Sequence, residues 1–191
     1  MDGTSPAPGP LAEEADFELV RRYLAGGDSQ AFDALVRRHL PMIRRMLAGL
    51  VRGTAEDLED AQQEVLLAVA RGLRGFGFRS SLSTWVYSVA RRRALDFLRK
   101  GRRRQRAVER LRLLPPAPVE DPEAPLLAGE RGAELRRAFE GLPAGARDLL
   151  LMRDVEGFSM EQMSSITGVP VGTIKSRLHR ARERLARIVE V

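Results

Sequence analysis

The chain contains no cysteine, which excludes a disulfide framework and a thiolate metal site and suits a reducing compartment. Histidine is almost as scarce. His39 and His179 are the only two, and they lie too far apart in sequence to suggest a structural zinc site. Aromatic residues make up 5% of the chain, so its cores must be small and built from Leu, Val, Ala and Met, a pattern that points to helical bundles. No apolar run approaches the roughly 20 residues of a membrane span. The N-terminal stretch MDGTSPAPGPLAEEADF has neither the basic start nor the apolar centre of an export signal. The expectation is a cytoplasmic protein with no membrane insertion.

What is abundant is arginine. Lysine and arginine number 32 against 26 acids, a net charge of +6 across 191 residues, enough chain for one ordinary domain or two small ones. The planar guanidinium fork suits phosphates and guanine edges better than an ammonium does, so nucleic acid is the leading partner class. The plain alternative is arginine used for solubility, and the position of the charge decides between them.

Residues Met1 to Leu11 are rich in Pro, Gly and Ser and read as a disordered start, within a tail set at residues 1–14. From Asp16 to Lys100 apolar residues recur at helical spacing, as in Phe32, Leu35, Val36 and His39, then Ile43, Met46, Leu47 and Leu50. This spacing predicts four helices, with a kink or break at Pro41 in the second. Thr54 and Asp57 resemble a capping box that opens the third, which runs to about Gly72. The next segment, Gly101 to Gly132, crowds Pro115, Pro116, Pro118, Pro122 and Pro125 among Glu120, Asp121 and Glu123 and reads as a linker. Such a linker averages roughly 30 Å end to end and extends to about 100 Å, long enough to bridge two sites on a large partner. The expected organisation is all-α, with two small helical domains at 15–100 and 133–191 joined through 101–132.

In the second domain Ala133–Gly141 and Arg147–Glu156 read as helices. Ser159 with Gln162 forms a second capping box, the chain turns at Thr167, Gly168, Val169 and Pro170, and a basic helix runs from Val171 to about Val189. Helix, glycine turn and basic helix make a helix-turn-helix signature. Ile174, Leu178, Ala181, Leu185 and Ile188 follow steps of four and three and form one buried stripe. Thr173, Lys175, Ser176, Arg177, His179 and Arg180 are left for base edges and phosphates in a major groove.

Two further features carry chemistry. Eleven positive residues lie between Arg91 and Arg112, among them Arg91, Arg92 and Arg93, a density that gives salt-sensitive phosphate binding. Trp85 and Tyr87 just before this run, with Phe76 and Phe78 in the preceding loop, either hold unstacked bases or pack a core, and the sequence leaves both open. Glu56, Asp57, Glu59, Asp60 and Glu64 form an acidic patch. The helix dipole accounts for Glu56 and Asp57. Asp60 and Glu64 share a helix face near Leu67 and suit docking on a basic partner; a magnesium nuclease is the weaker alternative, having no further ligands in view. A stand-alone helix-turn-helix regulator is a second alternative, but it leaves the acidic patch and the Trp85 segment without purpose.

These stretches together resemble the sigma factors of bacterial RNA polymerase, in the extracytoplasmic-function group of the sigma-70 family. Glu59–Ala70, EDAQQEVLLAVA, looks like region 2.2, which implies Asp60, Gln63, Glu64 and Leu67 as contacts to the clamp helices of the core enzyme. Phe78–Lys100 looks like regions 2.3 and 2.4, which melt and read the minus-10 element; the resemblance implies Phe76, Phe78, Arg79, Ser80, Trp85, Arg91, Arg92 and Arg93 there. Gly157–Leu185 is similar to region 4.2, which sits on the polymerase flap and reads the minus-35 element, so the groove face named above takes that role. Arg92 stands where the family often has asparagine, Phe78 and Arg79 where a glycine and an acid are common, and Pro170 where a serine cap is usual. The resemblance implies promoter DNA and core polymerase as partners, an anti-sigma factor as a further one, and no cofactor, metal or catalytic residue.

Overall fold

The computed structural model describes residues 10–51, 53–109 and 130–189. Residues 1–9 of the expected tail lie outside the described residues. So do Arg110 and Arg112 of the basic run and the clustered prolines and acids of the expected linker. Among the described residues every regular element is helical, and they fall into two compact units, α1–α4 and α5–α8.

The first unit comprises α1 (Pro10–Gly26), α2 (Ser29–Leu50), α3 (Ala55–Gly72), a short 3-10 turn (Leu73–Gly75) and α4 (Leu82–Glu109). Helix therefore covers 10–14, which the sequence assigns to the tail, and continues past residue 100, where the linker was expected. Asp28 opens α2 by accepting the Ala31 N–H at 3.1 Å, while its other oxygen takes Arg22 at 2.7 Å. That N–H bond, and after it Arg22, holds the Asp28 carboxyl below the usual aspartate range. Of the kink or break expected at Pro41, the break does not occur, since α2 runs unbroken to Leu50. Pro41 faces solvent, whereas Met42, Ile43, Met46 and Leu47 beside it are buried. The packed face holds the helix across the missing N–H.

The Thr54–Asp57 capping box is present: Thr54 Oγ1 accepts the Asp57 N–H at 3.2 Å, and Asp57 Oδ2 accepts the Thr54 N–H at 2.8 Å. Ile43, Met46 and Leu50 of α2, Ala61 and Val65 of α3, and Leu82, Val86, Tyr87 and Ala90 of α4 fill the core. Asp16 of α1 is 1% exposed and joins α2 through Arg38 at 2.5 Å and His39 Nε2 at 3.0 Å. His39, read from the spacing as one position of an apolar face, is thus the buried partner of a carboxylate.

The second unit comprises α5 (Glu130–Glu140), α6 (Ala144–Leu150), which passes into one wide π turn at Leu151–Val155, α7 (Met160–Thr167) and α8 (Val171–Val189). Met152, Phe158, Met163, Ile174 and Leu178 form its centre. The buried Arg147 donates to the carbonyls of Glu140 at 3.1 Å and Leu142 at 2.8 Å, meeting acceptors that the end of α5 leaves open. Among the described residues no buried side-chain polar atom lacks a partner.

Candidate nucleic-acid and partner interfaces

The geometry of α8 starts in α7. Ser159 Oγ accepts the Gln162 N–H at 3.1 Å and the Gln162 side chain accepts the Ser159 N–H at 2.7 Å, the reciprocal cap expected of S-x-x-Q. The α7 C-terminus is closed by Gly168 at φ +71°, a left-handed residue that glycine adopts without steric cost. Ser164 and Thr167 donate their hydroxyls to the carbonyls of Val169 and Met163, at 2.8 and 2.7 Å, so the turn into α8 is fixed by its own side chains.

Along α8, Ile174, Leu178 and Ala181 are buried. The stripe fades beyond them, with Leu185 half-buried and Ile188 exposed. Lys175, Ser176, Arg177, His179 and Arg180 are exposed and Thr173 is half-buried, so a solvent-facing basic surface occupies the first turns. Ser176 donates its hydroxyl to the Thr173 carbonyl at 3.0 Å, and the Arg180 Nε donates to the Ser176 carbonyl at 3.3 Å. His179 Nε2 lies 3.4 Å from Glu183 at an exposed i,i+4 position. Arg182 differs from these neighbours. It forks onto both oxygens of Asp154 in the π turn, which binds its proton more tightly and tethers α8 to the α6 side of the unit.

On α3, Ala61, Val65 and Val69 turn inward, and Asp60, Gln63 and Leu67 are exposed, Leu67 by 54%. Glu64 shares that outer face and meets Lys100 of α4 at 3.4 Å, a solvent-exposed pair worth little to stability. A large apolar side chain left in water within an acidic surface suits docking on a partner. Among the described residues no three His, Cys, Asp or Glu side chains converge to hold a metal.

The segment between α3 and α4 divides the aromatics for which the sequence leaves both readings open. Phe76 is 5% exposed and lies among Phe17, Phe78 and Trp85, with ring centroids at 6.0, 4.9 and 5.3 Å, so it offers no face to a base. Tyr87 is wholly buried. Burying the Phe76 ring gains more than exposing it. Trp85 is half-buried, and a Cβ on Gly72 would lie 3.0 Å from its ring, so Gly72 leaves room for the indole. Phe78 and Arg79 are exposed and Ser80 is half-buried. Ser81 caps α4 by accepting the Thr84 N–H at 3.2 Å. On α4 itself Arg91 is half-buried, and Arg92 and Arg93 are exposed. Phe17 and Arg21 of α1 reach this aromatic cluster and were not singled out in sequence, where nothing local ties them to Phe78.

No described helix is long and apolar enough to cross a membrane. The family described as Sigma-70 region 2 matches residues 35–104, and Sigma-70, region 4 matches residues 132–185. The ECF RNA polymerase sigma factor SigM of Mycobacterium tuberculosis is 36% identical over 180 residues, covering 93% of this chain and 86% of its own. The RNA polymerase sigma-H factor of Pseudomonas aeruginosa is 31% identical over 199 residues, covering 94% and 96%. Among solved structures, the sigma factor RpoE of Bartonella quintana, crystallised with the anti-sigma factor NepR, superposes with a TM-score of 0.67 at 26% identity, over 84% of this chain and 97% of that one. CnrH, solved with the cytosolic domain of CnrY, has the same fold at a TM-score of 0.64 and 19% identity, over 92% and 97%. An all-helical pair of units carrying sigma-70 regions 2 and 4, with relatives of this similarity along nearly the whole chain, makes the protein a member of the ECF group of sigma-70 factors, which bind core RNA polymerase and direct promoter-specific transcription initiation.

Proposed function

We propose that the two units divide promoter recognition between them. The α3 face of Asp60, Gln63, Glu64 and Leu67 docks on the clamp helices of core polymerase. The exposed Phe78 and Arg79, with Ser80, the half-buried Trp85 and the arginines 91–93 on α4, hold the unpaired minus-10 strand, so that binding energy drives strand opening. The second unit sits on the flap and lays α8 in the major groove of the minus-35 element, with Lys175, Arg177, His179 and Arg180 on phosphates and base edges. The observation that carries this reading is the division of α8 into a buried Ile174, Leu178 and Ala181 stripe and an exposed basic face, presented by a fixed left-handed turn.

The chain itself performs no chemistry and acts in the cytoplasm beside the polymerase, which does the phosphoryl transfer. The Bartonella relative is held by an anti-sigma factor. A partner of that class is proposed here as well, covering the faces that the polymerase needs. Purified core enzyme supplied with this chain is expected to start discrete transcripts on fragmented genomic DNA in a run-off assay. The same pattern of starts with and without the chain would overturn the reading.

A further inference from the structure

Phe78 is the one non-glycine residue at positive φ among the described residues, at +54°. A bulky side chain keeps this left-handed conformation only where its surroundings over-determine it. Those surroundings come largely from α1. Phe17 meets Phe78 edge to face with 5.3 Å between ring centroids, and the guanidinium carbon of Arg21 stands over the Phe78 ring at 5.9 Å. Phe17 and Arg21 are four residues apart and so share one face of α1. Beneath them the buried Phe76 ring lies 4.9 Å from that of Phe78. The helix that carries both residues is itself pinned to α2 by the buried Asp16, through Arg38 and His39. Phe78 nonetheless remains 39% exposed.

We propose that Phe17 and Arg21 are positioning residues, which hold Phe78 in its left-handed conformation with part of the ring turned outward to stack on an unpaired nucleobase. This rests on the strand-holding role proposed for the loop and adds to it a helix outside the loop. A ring already fixed in place loses little conformational freedom when a base arrives, so preorganisation converts more of the stacking energy into affinity. Phe17 supplies the wall that stops the strained loop from relaxing. Arg21 lies over the ring and is itself steadied by Glu18 one turn earlier, which accepts from its guanidinium at 3.1 Å, so the cation stays seated on Phe78.

The test uses the holoenzyme, core polymerase with the full chain, and a fluorescent single strand carrying the minus-10 segment of a promoter found by run-off. Phe17→Ala is expected to weaken strand binding about tenfold, on the scale of one stacked base, with core affinity unchanged. Phe17→Leu keeps apolar volume on α1, so it folds, and is expected to lose about threefold, since it lacks the aromatic edge. In the Phe78→Gly background, Phe17→Ala is expected to add nothing further, because glycine takes the left-handed conformation unaided and no ring remains to be held. Trp85, the only tryptophan of this chain, packs on Phe76 and, read on the purified chain alone, should keep its emission maximum in every variant.

Strand binding by Phe17→Ala equal to wild type would overturn the proposal. So would effects that multiply in the double variant, or a loss of core affinity and a shift of Trp85 emission in step with strand loss, which would mark Phe17 as plain core. A wild-type holoenzyme that starts transcripts but captures no strand would sink the loop's role together with this inference. Normal capture that is indifferent to Phe17 and Arg21→Ala sinks the inference alone.

Discussion

In the α5–α8 unit the proposed DNA surface lies on a single helix, and its exposed and buried sides alternate with the helical repeat. In the α1–α4 unit the proposed strand-holding surface is assembled from α1, the segment between α3 and α4, and the outer face of α4. The difference separates what a local pattern can reveal from what it cannot. Along α8 the burial of Ile174, Leu178 and Ala181 obliges their neighbours to face water. In the loop no period applies, and Phe76 and Phe78, two residues apart, have opposite fates: 5% and 39% exposed.

The strongest way to break the comparison is to unfold one unit and leave the other folded. Phe158 is 2% exposed at the centre of the second unit. Phe158→Ala is expected to cost about 3–5 kcal/mol there. Urea denaturation should shift the transition of α5–α8 and leave that of α1–α4 in place. A single transition that moves as a whole would show that the units do not fold separately.

Next in size are paired losses of function. Arg180→Ala is expected to weaken binding to the upstream element about tenfold and to lower the salt slope by about one, with core affinity kept. Asp60→Ala should do the reverse, reducing capture by core polymerase about tenfold while its circular dichroism stays helical. Parallel loss of both activities in either variant would mean that the two faces are wrongly assigned.

A smaller effect sharpens the account of how α8 is presented. A Cβ at Gly168 would meet nothing within 4 Å, so Gly168→Ala is opposed by backbone conformation alone. The expected loss is about 1 kcal/mol by thermal unfolding, and Gly168→Asn should lose less, because asparagine tolerates the left-handed region. Equal losses would point to a steric cause instead.

The smallest effect concerns acid. Asp28 at the start of α2 and Glu161 in the first turn of α7 are both held below their ordinary values, Asp28 chiefly by the Ala31 N–H and Glu161 chiefly by its own backbone N–H. With the folded pKa below the unfolded one, each carboxylate contributes stability that is present above the unfolded value and lost as pH falls through the folded one. Carboxyl NMR titration should place the Asp28 midpoint below 3.8, and Asp28→Asn should remove that part of the acid dependence. A midpoint at or above 3.8 would refute the cap's electrostatic role.

Much of the fold was legible because its signals are short in range. The boxes Thr54–Asp57 and Ser159–Gln162, the glycine turn and the α8 stripe each lie within a few residues, where backbone geometry couples side chains directly. The outer face of α3 was legible for the same reason, as Asp60 and Glu64, with Leu67 near them, share one helical face. At Pro41 the local penalty does not decide whether α2 continues, because the buried neighbours on either side hold the helix together.

Sequence by itself determined an all-helical chain in two units, the direction of each amphipathic face and the basic, helix-turn-helix character of the second unit. Only the tertiary structure decided which aromatics are floor and which are surface, that Asp16 is buried against Arg38 and His39, and that α1 stands over Phe78. The physical reason is distance along the chain. Helix period and capping follow from covalent neighbours, whereas the burial of a ring or a carboxylate depends on which remote helices close over it.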